Sequence, residues 1–362
     1  MASNRQISAT MFGYVCDDYN QQPMVRELTT PRIRSDNEVL IKVKASSVNP
    51  IDVRMSEGYA HQLMTAVNNL QERRLTGDNR LPTTFGRDFS GVVAEAPTSS
   101  AFKVGDEVIG VVPPAMPGAH SEYVITNTNY IIPKPKTVDH VNAAAMIYTT
   151  ATAWSALTTF GRLNATNARN QRVLIHGGSG GVGSSAIQIL KYWGTQKIVA
   201  TASTKNQAFV KKLGAVPVDY TADNVKELLL KEGPFDLILD CTTSNAVTDW
   251  SDELLGVWRN SVHLTLTSPL MQQTDRYGVP LGLASTAATW FCRNVWNFKK
   301  GRAYIYAFFI PDKNALNLLS TLIDQGKMVP NVEKVYHKEN ISEAYETVGK
   351  LQGGGKSVIS FE

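Results

Sequence analysis

A glycine-rich segment is the part of this sequence whose residue types and spacing most clearly favour binding of a ligand. A strand-like run, residues 172–176, precedes Gly178, Gly180 and Gly183 in the spacing G-x-G-x-x-G, and the residues that follow have the composition of a helix. Glycine permits a tight turn and close approach of the backbone to a phosphate, while a helix N-terminus supplies free amides and a partial positive charge. This order of strand, loop and helix predicts a dinucleotide-binding site; a glycine-rich turn without a ligand is the alternative.

The type of dinucleotide depends on the end of the next predicted strand, where an acidic side chain would bind the adenosine ribose of NAD. That strand, residues 197–203, ends without an acid, and Ser203, Thr204 and Lys205 offer hydroxyl groups and a cation instead. The following strand ends nearby at Tyr220. These groups favour a 2′-phosphate and therefore NADPH over NADH. Lys205 could equally be a solvated charge, and Tyr220 a core residue.

Neither the histidines nor the cysteines are spaced as a metal site or a disulfide framework. The six histidines show no ligand spacing, and Cys16, Cys241 and Cys292 lie far apart along the chain. A structural zinc site needs several such ligands at close spacing, and scattered thiols are typical of a reducing compartment. Ser179, which lies between glycines, superficially resembles a nucleophile elbow, but the dinucleotide loop explains this serine better.

Alternating strands and helices must position the glycine loop, and a β-rich segment precedes them. With 362 residues the chain is long enough for about two domains. Residues 39–45 alternate apolar and polar side chains, whereas from about residue 142 strands alternate with helices, which is typical of a doubly wound parallel sheet. We predict an α/β protein in which residues 1–145 and 328–362 form an irregular β-barrel domain and residues 146–327 form the parallel-sheet domain.

Composition and charge exclude several classes of protein. The net charge of +4 is too mild to indicate a nucleic-acid surface, and no apolar stretch approaches the roughly 20 residues needed to cross a bilayer. The first twelve residues show neither a secretory signal nor an Arg-rich transit peptide. Residues 296–306 interleave bases with aromatics, as a single-stranded nucleic acid or a membrane surface would favour. A helix end leading into an edge strand explains this run more simply, and we expect no nucleic-acid partner.

Three further motifs, taken together with the glycine loop, resemble a known protein family over nearly the whole chain. Residues 38–52, 85–93 and 104–108, together with the glycine loop, resemble the medium-chain dehydrogenase/reductase superfamily in its zinc-free quinone-oxidoreductase branch. The resemblance implies a GroES-like β-barrel catalytic domain and a Rossmann domain. Zinc alcohol dehydrogenases of the superfamily carry Cys at the position of Asn49 and Gly-His-Glu at the position of Gly86, Arg87 and Asp88. Because these ligands are missing, we expect no zinc and no simple alcohol oxidation.

The resemblance also implies an NADPH site. It assigns the pyrophosphate to the loop of Ser179, Gly180, Gly181 and Val182, and the 2′-phosphate to Ser203 and Tyr220. The nicotinamide would lie against Cys241, Leu266, Ala307 and Phe309. A loop near the end of the sequence, with Gln352, Gly353 and Gly354, would close over the cofactor. The sequence Cys241-Thr242-Thr243 departs from the family pattern. Leu266 could instead be a core residue, and Phe309 part of an interface.

Without a metal, the substrate must be electron-poor by itself, as quinones and α,β-unsaturated carbonyls are. Charge that develops on the acceptor oxygen still benefits from a donor. In related zinc-free enoyl reductases a tyrosine near the position of Tyr59 donates the proton, so we predict Tyr59 as the donor and Asn49 as an orienting amide. The alternatives are a tyrosine that closes the loop and an asparagine that fixes the turn before Pro50.

Within the branch, Asn49-Pro-Ile-Asp52, Gly86-Arg-Asp88 and the insertion after Tyr59 are most similar to a mitochondrial group of NADPH oxidoreductases tied to ubiquinone (coenzyme Q) biosynthesis. This similarity implies a mitochondrial location, a quinone or enone substrate and a membrane-associated protein partner. Zinc-free relatives pair a strand across a dimer, so the apolar run from Ala303 to Ile310 predicts a homodimer. The alternative to an enzyme is an NADPH-binding interaction or redox-sensing protein with little turnover.

Overall fold

The chain divides into two compact units. The computed structural model describes residues 7–19, 21–71, 81–242, 250–350 and 354–362. The first unit comprises Met1–Tyr148 and Pro311–Glu362, and the second comprises Thr149–Ile310. The second boundary lies before Pro311 and not at residue 328, where the sequence analysis placed it. The reason is that the helix Lys313–Asp324 packs against the strand Ile131–Pro133 of the first unit.

The described residues form sixteen strands, which are numbered here along the chain. They are β1 (Thr10–Cys16), β2 (Met24–Thr29), β3 (Glu38–Val48), β4 (Thr83–Thr84), β5 (Asp88–Glu95), β6 (Glu107–Val111), β7 (Tyr123–Asn127), β8 (Ile131–Pro133), β9 (Arg172–His176), β10 (Lys197–Ala202), β11 (Val216–Asp219), β12 (Leu237–Asp240), β13 (Ser261–Thr265), β14 (Arg302–Tyr306), β15 (Val332–His337) and β16 (Lys356–Ser360).

The α-helices of the described residues are numbered in the same way. They are α1 (Pro50–Ser56), α2 (His61–Gln71), α3 (His140–Trp154), α4 (Gly181–Tyr192), α5 (Gln207–Leu213), α6 (Val225–Glu232), α7 (Leu270–Tyr277), α8 (Val279–Phe298), α9 (Lys313–Asp324) and α10 (Ile341–Gly349). None of them combines enough length and hydrophobicity to cross a membrane.

The first unit is built on two mainly antiparallel sheets. One has the order β2-β1-β4, and the other has the order β15-β16-β3-β5-β6-β8, with β7 also paired to β3. The alternating residues Val39, Ile41 and Val43 of β3 pack on Phe89 and Val93 of β5 in one apolar core. Because β3 pairs with three other strands, its carboxyl end brings residues distant in sequence together.

The second unit is a parallel sheet with the strand order β11-β10-β9-β12-β13-β14. Successive residues of each strand face opposite sides, so Val173 and Ile175 of β9 enter one apolar core and Leu174 enters the other. Both faces are therefore buried, as crossover helices require. The chain reverses its direction of crossover between β9 and β12, which is where ligands bind in such sheets. The predicted doubly wound Rossmann architecture is confirmed.

The edge strand β14 is shorter than the predicted strand from Ala303 to Ile310, and its free side is covered. The Tyr304 N–H donates to Asn294 Oδ1 at 2.8 Å, and the Tyr304 carbonyl accepts from Asn294 Nδ2 and Trp290 Nε1, both at 2.9 Å. Strand pairing between two copies through Tyr304 would have to break these bonds. The predicted homodimer through this strand therefore lacks a free edge at its central residue.

Candidate functional site

The glycine loop of the second unit leaves an open cradle at the N-terminus of α4. Gly177 adopts a φ of +81°. A Cβ on Gly178 would lie 2.6 Å from Ala200 Cβ, and one on Gly183 would lie 2.2 Å from the Gly177 carbonyl oxygen. A Cβ on Gly180 would meet nothing closer than 3.4 Å. The first and last glycines of the motif therefore let the helix approach β9 and β10, and the surface at Gly180 stays open for a phosphate.

The side chain of Asn206 connects this loop to the end of β10. Its Nδ2 donates to Ser179 Oγ and to Ser203 Oγ, each at 3.3 Å. The two predicted serines are thus brought together by one amide, although they are far apart in sequence. Sequence reasoning missed Asn206. Its only signal was a polar side chain in the turn directly after Ser203.

The predicted 2′-phosphate residues lie side by side at the sheet edge. Because Ala202 pairs with Asp219, Ser203 and Tyr220 follow at the same level, and Tyr220 is half-exposed. The Asp219 carboxylate accepts from the hydroxyls of Thr204 and Thr221, and these bonds lower its pKa to about 2. This acid is engaged in holding the turn around Ser203.

The predicted nicotinamide residues form a row at the same edge. The registers align His176 with Asp240, Asp240 with Thr265 and Thr265 with Tyr306. The next residue of each strand therefore lies in one row: Gly177, Cys241, Leu266 and Ala307. Phe309 follows two residues beyond the row and is partly buried.

A buried carboxylate shapes the turn that carries Cys241. Asp240 Oδ1 accepts from the Thr242 N–H at 2.9 Å and from the Thr242 hydroxyl at 2.7 Å. These bonds give the departure from the family pattern at Cys241-Thr242 a structural role. Burial raises the pKa of the Cys241 thiol, which disfavours its thiolate form.

The predicted closing loop lies mostly outside the described residues. Gln352 and Gly353 are not among them. Gly354 belongs to the first unit, and its carbonyl accepts from Asn331 Nδ2 at 2.6 Å.

In the first unit, Asn49 is buried in a polar network and its amide is fully engaged. Its Nδ2 donates to Asp88 Oδ2 at 2.8 Å and to Asp52 Oδ2 at 3.1 Å, and its Oδ1 accepts from Lys356 Nζ at 2.7 Å. The residue is 2% exposed. These bonds occupy both ends of the amide, which is compatible with the orienting role that the sequence analysis predicts for Asn49.

The position at which zinc enzymes of the superfamily hold their metal is filled by charged side chains. Arg87 is fully buried, donates from Nη1 to the Pro113 carbonyl at 2.8 Å and has its Nε 3.6 Å from Asp52 Oδ1. Burial raises the pKa of Asp88 to about 6, although the Lys356 ammonium opposes this rise, and burial lowers the pKa of Lys356.

These residues do not fit zinc. Two buried cations repel a third, and an amide and a guanidinium stand where a thiolate and an imidazole are required. Within the described ranges, no group of three or more His, Cys, Asp or Glu side chains is placed to hold a metal ion.

Tyr59 lies on the turn between α1 and α2. Its N–H donates to the Arg54 carbonyl at 3.0 Å, and the Arg54 guanidinium carbon lies 6.0 Å from the centre of its ring. Gly58 and Ala60 on either side have positive φ angles of 88° and 67°. The turn thus holds a partly buried Tyr59 in a defined place.

Comparison with known proteins agrees with this architecture. Residues 35–136 match the alcohol dehydrogenase GroES-like domain, and residues 213–359 match a family described as zinc-binding dehydrogenase. Among solved structures, the quinone oxidoreductase from Coxiella burnetii superposes with a TM-score of 0.76 at 25% identity, covering 98% of this chain and 100% of that one. The predicted GroES-like and Rossmann folds are thereby confirmed.

Curated relatives cover nearly the whole chain. Reticulon-4-interacting protein 1, mitochondrial, of Caenorhabditis elegans is 44% identical over 98% of this chain and 96% of its own length. NAD(P)H oxidoreductase RTN4IP1, mitochondrial, of Homo sapiens is 37% identical over 98% of this chain and 90% of its own length. These relatives are mitochondrial by name, as the resemblance implied. The chain therefore belongs to the reticulon-4-interacting protein 1 family of NAD(P)H oxidoreductases, within the medium-chain dehydrogenase/reductase superfamily.

Proposed function

We propose that this chain reduces quinones or α,β-unsaturated carbonyls with NADPH and without a metal. The observation that carries the proposal is the buried pair of cations, Arg87 and Lys356, at the position of the zinc ligands. No Lewis acid can be held there, so the acceptor must be electrophilic by itself. NADPH held at the glycine loop would supply the hydride, and one proton from a donor would complete the conversion of a quinone to a hydroquinone, with NADP⁺ as the other product.

The preference for NADPH rests on the end of β10. Ser203 stands where an NAD enzyme would hold an acid, Lys205 is exposed beside it, and the neighbouring Asp219 is occupied by the hydroxyls of Thr204 and Thr221. We expect Ser203→Asp to lower kcat/KM for NADPH at least about tenfold, because the new carboxylate repels the 2′-phosphate. Ser203→Asn is the matched uncharged control. Equal loss in both variants would contradict the assignment.

We propose Tyr59 as the proton donor. Asn49, at the N-terminus of α1, holds the side chains of Asp52, Asp88 and Lys356 in position. Removal of a general acid typically slows a reaction by about a hundredfold or more. Tyr59→Phe should therefore lower kcat on an enone by about that factor and leave the Kd for NADPH unchanged. The effect on a quinone should be smaller, since its reduced oxygens accept protons from water. Unchanged turnover of the enone would remove this role.

We further propose that the chain works in mitochondria and supports ubiquinone biosynthesis, with a membrane-associated protein partner. The support is the mitochondrial name of its relatives, the words "reticulon-4-interacting" in one such name, and the likeness to a quinone oxidoreductase. Ubiquinone content of mitochondria that lack the chain, with and without re-expression of the Tyr59→Phe variant, tests this assignment. An unchanged content would contradict it.

The reductase proposal is tested by steady-state oxidation of NADPH and of NADH with a panel of quinones and enones. We expect acceptor-dependent oxidation that is faster with NADPH. Tight NADPH binding without turnover of any acceptor would overturn the proposal. That outcome would favour an NADPH-binding interaction protein, since the same glycine loop serves both functions.

A further inference from the structure

Helix α8 of the second unit has its polar face turned inward and its apolar face turned outward. A surface helix of a globular protein normally has the opposite arrangement. Thr286, Asn294 and Asn297 are buried. Asn294 bonds the backbone of β14, and Asn297 Nδ2 donates to Asp252 Oδ2 at 3.0 Å. Hydrogen bonds from polar groups, including the indole N–H of Trp290, therefore hold the helix to the sheet.

The outward side of α8 and an adjacent turn expose a set of large apolar side chains. Phe291 is 61% exposed, Trp296 is 69% exposed and Trp258, which lies against the turn after α8, is 75% exposed. Six such side chains are each more than half exposed in this region, and we call them the apolar face: Val257, Trp258, Leu281, Phe291, Trp296 and Phe298. Several large apolar side chains exposed on one helix and its adjacent turn indicate an interaction surface.

Cations border the apolar face at the end of α8. Lys299 Nζ lies 4.5 Å from the centre of the Trp296 ring, and Lys300 is exposed next to it. The helix itself contains no acidic residue. Glu253, the acid that interacts with Lys300, is paired with Lys226 at 2.8 Å. The border is therefore positively charged, and it complements an anionic partner.

The backbone conformation of the turn that carries Trp258 is a further indication that the apolar face is an interaction surface. Trp258 has a φ of 56°, and its N–H donates to the Lys300 carbonyl at 2.8 Å. A bulky side chain at positive φ is uncommon and strained. This backbone conformation places an exposed tryptophan beside Lys300 and Gly301.

We propose that the apolar face binds the surface of an anionic lipid bilayer, with α8 lying in the plane of the interface. Apolar and aromatic side chains enter the boundary between headgroups and acyl chains, and lysines at their border pair with anionic headgroups. Tryptophan is favoured at this depth because its ring is apolar and its N–H is polar. The charge of the border favours such a membrane over a second copy of the chain. The inference does not depend on which acceptor the enzyme reduces.

A native thiol reports directly on this surface. Cys292 is exposed on α8, whereas Cys16 is buried and Cys241 is partly buried. A polarity-sensitive fluorophore on Cys292 of the full chain is mixed with vesicles of phosphatidylcholine alone or with about one third phosphatidylserine. We expect a blue shift, protection from a water-soluble quencher and co-flotation only with the anionic vesicles. High salt should weaken binding because it screens the lysines.

Matched variants separate the apolar and electrostatic contributions. Phe291→Ser and Trp296→Ala should abolish flotation, whereas Leu230→Ser on α6, another exposed helix position, should not. Lys299→Ala and Lys300→Ala should each weaken binding about fivefold, and Lys211→Ala on α5 is the control. NADPH binding of every variant checks its fold.

Three results would overturn the proposal: no shift or flotation with either vesicle, equal loss in the control variants, or a shift that depends on protein concentration alone. The last result would assign the apolar face to a second copy of the chain.

Discussion

Asp252 ties β13 and α8 together, and its protonation should weaken the second unit in acid. Its Oδ1 lies 2.6 Å from His263 Nδ1, and its Oδ2 lies 3.0 Å from Asn297 Nδ2 and 3.4 Å from Arg293 Nε. Burial alone would raise the pKa of this carboxyl. The hydrogen bond and charge of His263, together with Arg293, outweigh burial and lower the pKa to about 2.

The size of the effect follows from that shift. An aspartate with a pKa of 3.8 in the unfolded chain and about 2 in the folded chain binds its proton more tightly when unfolded. Its ionised form therefore stabilises the fold above about pH 5 by about 2 kcal/mol. This stabilisation is lost as the pH falls. About 1 kcal/mol has gone at about pH 3, and about 2 kcal/mol at about pH 2.

Urea unfolding followed by tryptophan fluorescence measures this loss in the right unit, since all six tryptophans lie between residues 149 and 310. Asp252→Asn should lower the free energy of unfolding at neutral pH by about 2 kcal/mol, and its deficit relative to wild type should shrink by about 1 kcal/mol near pH 3. Asp223→Asn removes the same charge from an exposed loop and is the control. A deficit that stays constant with pH would refute the reasoning.

Two further substitutions test the phosphate loop and the covered edge. Gly183→Ala should raise the Kd for NADPH at least about tenfold, because its Cβ would lie 2.2 Å from the Gly177 carbonyl oxygen. Gly180→Ala should raise it far less, and equal effects in a fluorescence titration would argue against the cradle. Asn294→Ala leaves the Tyr304 N–H without its partner and leaves the Tyr304 carbonyl with only the bond from Trp290 Nε1. It should cost about 2 kcal/mol in urea unfolding and promote self-association in sedimentation velocity; an unchanged monomer of wild-type stability would contradict the capping role.

The proposed cofactor site of the second unit could be predicted from the sequence because the order of neighbouring segments determines it. A strand, a glycine loop and a helix follow one another without interruption, and the register of a parallel sheet places the residues after successive strands in one row. Ser203, Cys241, Leu266 and Ala307 are such residues. Asn206 was not accessible in this way, since its bond to Ser179 depends on how the turn after β10 folds back toward the loop.

The hydrogen bonds of Asn49 could not be predicted from the sequence, for a different reason. Its position before Pro50 at the start of α1 is local, but the groups that occupy its amide are not. Asp88 and Lys356 lie 39 and 307 residues away along the chain. The sequence around Asn49 therefore does not determine whether its side-chain amide is free or hydrogen-bonded to other side chains. Only the pairing of β3 with β5 and β16 decides that this amide is engaged.

Helix α8 shows why hydrophobic periodicity can reveal two faces of a helix without revealing which face is inward. The inward face is decided by what the neighbouring element presents. Here that element is the edge of β14, where the N–H and C=O of Tyr304 need partners. The amide of Asn294 satisfies both groups, and a leucine at that position would satisfy neither. Phe291 and Trp296 are exposed on the same helix, so the element that covers this edge also carries the apolar face.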